Sequence, residues 1–324
     1  MTMKKMTGVG PETKLAQGPT LGPIMCYTII ILRKLMKTAI QPLFKWTGSK
    51  QRMLTQYAPY FFPKQEVTRF LDLFAGGLTN SLWVYENYPQ AEYVLNDFNG
   101  ELTQLYEVVS SDTDGVVATW RECVGKWLQL GKEERKEYYY ELRDIYCLEY
   151  ESHNSTYLSG LLMFMMQVNF NGMWKAYKKC NERYSTPPGT CTQGAKFFSE
   201  EKVYRVAEFL KQATILTGDF ASVEYQPGDW LYADPPYRDS IVLYQGGFTE
   251  EDQVRLANYL TSSGCMFSYS NKDILDGFYD RHFPGCSIIE MDAKYTAGRG
   301  TSTIDVKEVL VTNYESVGTG VLPI

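Results

Sequence analysis

Histidine is nearly missing from this chain: only His153 and His282 occur in 324 residues. That scarcity weighs against Ser–His–Asp hydrolysis and against imidazole-ligated metal chemistry. The seven cysteines, Cys26, Cys123, Cys147, Cys180, Cys191, Cys265 and Cys286, are scattered, odd in number and contain no CxxC pair. Zinc-site spacing is absent, so no metal is expected, and free thiols in a reducing cytoplasm are the plain reading. No GxxxxGK[ST] loop and no GxGxxG turn is present, which directs expectation away from phosphate-bearing cofactors. The apolar run Ile24 to Leu32 is nine residues long and is interrupted by Thr28. A helix needs ~20 apolar residues to span a bilayer, and no small-residue cleavage site marks a signal peptide. Residues 1–35 read as a dispensable extension, with a second plausible start at Met36, and no membrane partner is expected. Excess positive charge is lacking as well. At a net charge of −6, any contact with nucleic acid must come from a local cluster of Lys and Arg.

What is present is an ordinary core-building composition, 44% hydrophobic, with 15% aromatic residues including 25 tyrosines. Phe70 to Phe74 reads as a buried strand that ends in Ala75-Gly76-Gly77. A helix over Thr79 to Tyr88 follows, then a strand Ala91 to Leu95 ending in Asn96-Asp97, then a helix from Asn99. Strand, glycine turn, helix, strand and acid form a nucleotide-binding α/β half. Residues 115–150 are charged, tyrosine-rich and helical in pattern, whereas 168–194 hold Asn, Pro and Gly at turn spacing. Strands resume at Thr214 to Leu216, Asp229 to Ala233 and Cys265 to Ser270. A helix begins at Thr249, and Lys307 to Asn313 reads as a final edge strand.

The most informative residues are Asp234-Pro235-Pro236-Tyr237, directly after the buried strand. Pro-Pro alone is also ordinary turn punctuation. With an acid before it and an aromatic ring after it, however, it makes a rigid polar clamp beside a flat surface. The exocyclic amine of adenine is a poor nucleophile because its lone pair is delocalised into the ring. The Asp234 carboxylate and the Pro235 carbonyl can each accept one of its N–H bonds, which favours a pyramidal nitrogen. Proline limits how far those carbonyls swing, and Tyr237 offers a base-stacking surface worth about 1–3 kcal/mol. A base inside a duplex cannot reach such a pocket without being flipped out.

Two weaker segments join it. Glycines at Gly76-Gly77 let backbone approach a ligand closely, and Asp97, about twenty residues on, is where dinucleotide folds place a ribose-binding acid. Phe44-Lys45-Trp46-Thr47-Gly48-Ser49-Lys50, taken alone, reads as a solvated basic loop with one buried Trp. Asn169-Phe170-Asn171-Gly172-Met173-Trp174-Lys175 and Tyr184-Ser185-Thr186-Pro187-Pro188-Gly189 lie between the two α/β halves. Lys175, Lys178, Lys179 and Arg183 against Glu182 put a net +3 in this acidic chain.

Taken together and in this order, these segments resemble the Dam-type DNA adenine methyltransferases, over about residues 36–316. The matching stretches are Lys45 to Lys50, Phe70 to Gly77, Asn96-Asp97-Phe98-Asn99, Asp234 to Tyr237 and the tail Lys307 to Tyr314. The resemblance implies a Rossmann-like methyltransferase sheet with a mainly helical target-recognition insertion. It implies S-adenosylmethionine as methyl donor, double-stranded DNA as partner, and direct transfer without metal or covalent intermediate. It further implies that Trp46, Lys50, Phe74, Gly76, Asp97 and Asp234 serve the cofactor, that Asp234, Pro235, Pro236 and Tyr237 are catalytic, and that Lys45, Phe170, Asn171, Met173, Lys175 and Pro187 serve DNA. Arg299 is a further candidate phosphate contact. The expected layout is an extension over 1–35, a cofactor-binding half over 36–110, the insertion over 111–205 and a catalytic half over 206–324. Alternatives are an RNA adenine methyltransferase and a catalytically silent DNA-binding protein.

Two departures stand out. Leu78 occupies the family's usual second glycine, so a slightly different turn is expected. Lys175 stands where the family commonly has a guanine-reading Arg. Lysine is a point charge and cannot form the bidentate fork, so recognition is expected to be GATC-like or relaxed.

Overall fold

The computed structural model describes residues 40–239, 247–296 and 303–318. The N-terminal extension, Met36 and Arg299 lie outside the described residues. A short 3-10 turn at Lys50–Arg52, capped by Ser49, leads into α1 (Leu54–Phe61). Then come β1 (Arg69–Asp72), α2 (Thr79–Asn87), β2 (Glu92–Asp97) and α3 (Gly100–Ser111). Three helices follow: α4 (Thr113–Gln129), α5 (Lys132–Leu148) and α6 (Ser155–Val168). After an irregular stretch come α7 (Glu200–Leu210), β3 (Ala213–Thr217), β4 (Trp230–Ala233), α8 (Glu250–Ser262), β5 (Met266–Asp273), α9 (Phe278–His282), β6 (Ser287–Thr296) and β7 (Thr303–Thr312).

The strands form one sheet in the order β3-β2-β1-β4-β5-β7-β6. The five from β3 to β5 are parallel, and β7 runs antiparallel to both β5 and β6. This is the doubly wound, Rossmann-like α/β sheet that was expected. Its central strands read as continuous apolar runs, Phe70-Leu71 and Trp230-Leu231-Tyr232-Ala233, and all six residues are buried. That composition fits parallel strands covered on both faces. On one face, Phe61 meets Trp83 at 5.0 Å and Trp230 at 5.1 Å between ring centroids. Burying each such side chain stabilises the fold by about 1.5–3 kcal/mol.

One expectation is corrected. Lys307 to Asn313 is not an edge strand: β7 lies between β5 and β6, and β6 is the edge. The sequence reading passed over β6. Its alternation Glu290-Met291-Asp292-Ala293-Lys294 is a period-2 signal, with Met291 and Ala293 buried. A strand read in isolation does not reveal which neighbours flank it.

Between α3 and α7 the chain builds a helical layer around α6, which is buried at every position from Leu158 to Val168. Gly160 lets α4 come close: a Cβ there would lie 2.5 Å from Thr119 Cβ. The irregular stretch after α6 is a hairpin held by the antiparallel bridges Asn169↔Pro188 and Ala176↔Tyr184.

Sequence order and sheet order reverse between β1 and β4. In open α/β sheets, ligands bind in the crevice beyond the carboxyl ends of the strands at such a reversal. Here β1 runs into the glycine turn and β4 runs into Asp234. The pairing Asp72↔Tyr232 sets the two exits side by side.

Candidate active site

Asp234 leaves β4 with its carboxylate held from two sides. Lys50 Nζ lies 2.5 Å from Oδ1, and the Ser270 hydroxyl donates to the same oxygen at 3.0 Å. Among the described residues, Asp234 Oδ2 accepts no hydrogen bond. Lys50 is only 1% exposed, whereas Lys45 and Gly48 of the same segment are exposed. The lysine stem crosses the core and delivers one buried cation to the acid, 4.6 Å from the centroid of the Tyr237 ring. Burial raises the Asp234 carboxyl above its ordinary value, Lys50 pulls it down, and nearby Glu308 adds to the rise; the net direction is up. Glu308 itself is buried and accepts from the Tyr57 hydroxyl at 3.2 Å.

The rest of the tetrapeptide is pinned through its backbone. The Pro236 carbonyl accepts from Gln253 Nε2 at 2.8 Å, and the Arg238 N–H donates to Asn271 Oδ1 at 3.0 Å. Arg238 is buried and forms paired bonds to Glu250 and to Asp276, closing the loop behind Tyr237. Among the described residues, the Pro235 carbonyl accepts no hydrogen bond.

On the β1 side, Gly76 has φ +44° and its N–H donates to Asp97 Oδ2 at 2.8 Å. Asn99 N–H donates to the other oxygen at 2.9 Å. Burial raises the Asp97 carboxyl despite these bonds. Trp46 lies on the glycine turn: a Cβ on Gly76 would sit 2.8 Å from its Nε1, and one on Gly77 would sit 2.5 Å from its Cβ. Leu78 takes φ +63°, the left-handed conformation that favours glycine. The turn thus keeps a left-handed residue at this position and tolerates leucine there, with the side chain buried. Asp72 lies beneath, accepting from Ser81 Oγ at 2.5 Å and from Phe74 N–H at 3.2 Å. Burial pushes its carboxyl up to about 7. The Phe74 ring turns toward Phe220 and Phe248 at 5.7 and 5.6 Å.

The hairpin is tied to the same N-terminal segment. Thr47 N–H donates to the Gly172 carbonyl at 3.0 Å, and Trp46 lies 6.2 Å from Trp174. Asn169 holds the hairpin tip from inside, accepting Gly172 N–H at 3.0 Å and donating to Met173 O and to the Tyr184 hydroxyl. Phe170 N–H donates to Pro187 O at 2.9 Å, and Lys175 N–H donates to Thr186 Oγ1 at 2.9 Å. Phe170, Asn171, Met173, Lys175 and Pro187 therefore share one loop. Lys45 joins them across a contact of its backbone with Gly172, and its Nζ lies 5.5 Å from the Phe197 ring. Lys178 and Lys179 are exposed. Arg183 instead turns back onto Glu151 at 2.7 Å and the Tyr150 ring at 3.5 Å, so a net +3 overstates the outward charge.

Ser270 and Gln253, which bond the tetrapeptide, and Asn271, which holds the Arg238 N–H just after it, were not singled out in the sequence. Ser270 and Asn271 close a predicted strand at the same sheet end as Asp234, and that position was their only signal. Phe98, next to Asp97 in sequence, was not singled out either, and its ring is 59% exposed.

A mostly parallel sheet with its reversal between a glycine turn and an acid-led Pro-Pro loop places the molecule in the class of Rossmann-like methyltransferases. The family is narrower. The model for the D12 class N6 adenine-specific DNA methyltransferases matches residues 46–297, and the chain belongs to that family. It is 28% identical to the type II methyltransferase M.MjaIII of Methanocaldococcus jannaschii, over 85% of this chain and 99% of that protein. It is 28% identical to the type II methyltransferase M1.LlaDCHI of Lactococcus lactis subsp. cremoris, over 86% and 97%. The DNA adenine methylase of Escherichia coli K12 is 25% identical over 74% of this chain and 77% of its own length.

Proposed function

We propose that this enzyme transfers a methyl group from S-adenosylmethionine to the 6-amino group of an adenine flipped out of duplex DNA. The observation that carries the reading is the asymmetric loading of Asp234. One carboxylate oxygen is saturated by Lys50 and Ser270, while the other, and the Pro235 carbonyl one residue on, accept no hydrogen bond among the described residues. Two acceptors on adjacent residues match in number the two N–H bonds of one amine.

The crevice suits an adenosine cofactor without phosphates. Asp97 offers an acid for ribose hydroxyls, exposed Phe98 offers a ring beside it, and the Gly76-Gly77 turn has no room for side chains. When bound, S-adenosylmethionine supplies an electrophilic methyl group on a positively charged sulfur. Trp46, Phe74 and Lys50 complete the walls of that half. On the other side, Asp234 Oδ2 and the Pro235 carbonyl accept the amine's N–H bonds, and Tyr237 stacks on the base. These acceptors are fixed before reaction, so they stabilise the positive charge developing on nitrogen without reorganising. Holding the amine in line supplies much of the rest of the acceleration. The raised proton affinity of Asp234 suits it to take the proton that the methylated nitrogen sheds.

DNA lies along the hairpin, with Lys45, Phe170, Asn171, Met173, Lys175 and Pro187 facing it. With Lys175 where a guanine-reading Arg is common, recognition is GATC-like or relaxed. The test is labelled S-adenosylmethionine with unmethylated duplex DNA and, in parallel, sequence-matched RNA, followed by nucleoside analysis. Label in 6-methyladenine of DNA supports the reading. Label only in RNA moves the substrate to RNA, and label in neither leaves a silent DNA-binding protein.

A further inference from the structure

Behind Tyr237 lies a buried polar group that the transfer chemistry does not use. Gln253, on α8, is 2% exposed, and Tyr269 and Asn271, on β5, are fully buried. Gln253 Nε2 donates to the Pro236 carbonyl at 2.8 Å. Asn271 Oδ1 accepts the N–H of Arg238 at 3.0 Å and that of Lys272 at 2.8 Å. The Pro236 carbonyl and the Arg238 N–H held in this way belong to the peptide groups directly before and directly after Tyr237.

The three side chains also lock one another. The Tyr269 hydroxyl donates to Gln253 Oε1 at 2.9 Å and accepts from Asn271 Nδ2 at 2.7 Å, and the same Nδ2 reaches Gln253 Oε1 at 3.2 Å. Each amide has a single workable orientation. Turning Gln253 over would set its oxygen against the Pro236 carbonyl, and turning Asn271 over would set its NH₂ against two backbone N–H groups. Side chains locked in this way define the backbone they grip. The group also decides which carbonyl is available: it occupies that of Pro236 and leaves that of Pro235.

We propose that Gln253 and Asn271 are positioning residues for methyl transfer, fixing the plane of Tyr237 and the direction of the Pro235 carbonyl without touching either reactant. This rests on the adenine pocket proposed above.

The test uses the full chain and the variants Gln253→Glu, Asn271→Asp and Asn271→Leu. In Gln253→Glu, a protonated carboxyl can still donate to the Pro236 carbonyl, whereas a carboxylate repels it. Burial moves such a carboxyl from about 4.3 towards about 8–9. The ratio of variant to wild-type kcat therefore falls as pH rises, by about 10²-fold once the carboxyl ionises, while KM for S-adenosylmethionine stays near wild type. Asn271→Asp keeps both accepted N–H bonds and loses less kcat than Asn271→Leu. It also serves as the second arm should Gln253→Glu fail to fold. With 2-aminopurine at the target position, wild type extrudes the base and Tyr237 quenches it, and Gln253→Glu extrudes it with less quenching. A pH-independent ratio near one, with both Asn271 variants equal to wild type, overturns the proposal while leaving the pocket intact. Failure of wild type itself to extrude 2-aminopurine or to methylate adenine overturns both.

Discussion

The Asp234 pocket and the hairpin after α6 are built by opposite rules. In the pocket, Lys50, Ser270, Gln253 and Asn271 are buried, and each bonds Asp234 or the peptide groups that flank Tyr237 from elsewhere in the chain. In the hairpin, the inward residues Asn169, Tyr184 and Thr186 are buried and bonded, while Asn171, Lys178 and Lys179 face outward. The pocket fixes side chains, whereas the hairpin fixes only a backbone. One arrangement suits chemistry that tolerates no displacement. The other suits contacts that vary by substitution without disturbing the fold.

The strongest way to break this contrast is Lys50→Met. It leaves Asp234 buried opposite no cation, and breaking such a pair costs about 3–5 kcal/mol. Denaturant unfolding of the variant is expected to show that loss. Its kcat/KM should also need a higher pH, because without Lys50 only the Ser270 hydroxyl is left to offset the upward push of burial and Glu308 on Asp234. An unchanged stability and an unchanged acid limb would mean that the pair contributes nothing.

Asp72→Asn sharpens the contrast through pH. The Asp72 carboxyl lies at about 7 in the fold against an ordinary value of 3.8. The folded state therefore holds its proton more tightly than the unfolded state, and wild type loses stability as pH rises from the ordinary value towards 7. Each unit of difference is worth about 1.4 kcal/mol. A neutral Asn can accept from Phe74 N–H and donate to Ser81 Oγ. The variant is expected to lose less stability than wild type between acid and neutral pH, measured by chemical unfolding at both. An equal slope in the two proteins would contradict the buried-acid account.

Lys175 gives the smallest effect and the cleanest view of the hairpin. Lys175→Arg should raise discrimination at one base pair by ~1–3 kcal/mol, read by methylation-sensitive sequencing. Lys175→Ala should lower the salt slope of DNA binding by about one. Neither should move thermal stability. A Lys175 variant that unfolds early would show that the hairpin is built like the pocket after all.

The difference between the regions also explains what was legible in the sequence. The parallel strands announced themselves because their burial demands unbroken apolar runs, as in Trp230 to Ala233. Asp234 to Tyr237 stood out because an acid, two prolines and an aromatic ring follow one another directly after a buried strand. The ion pair of Lys50 with Asp234 was not legible, since a lysine's sequence neighbours do not reveal an acid 184 positions away. Gln253 carried no signal, and Ser270 and Asn271 only their place at a strand end, for the same reason: their contacts lie in pairings across β4, β5 and α8. The edge position wrongly given to Lys307 to Asn313 has a similar origin, because strand order is a long-range property. Leu78 was flagged correctly as unusual, but only the backbone shows that it takes the left-handed conformation a glycine would.

The most direct test of the account is single-turnover transfer to adenine in prebound duplex DNA by wild type and by Asp234→Ala, scored as 6-methyladenine. The account predicts product from wild type and a rate about 10²–10³-fold lower in the variant, the scale set by loss of a preorganised charge-stabilising group. A variant that forms 6-methyladenine at a rate close to wild type would contradict it, because the amine would then be activated by something other than the Asp234 carboxylate.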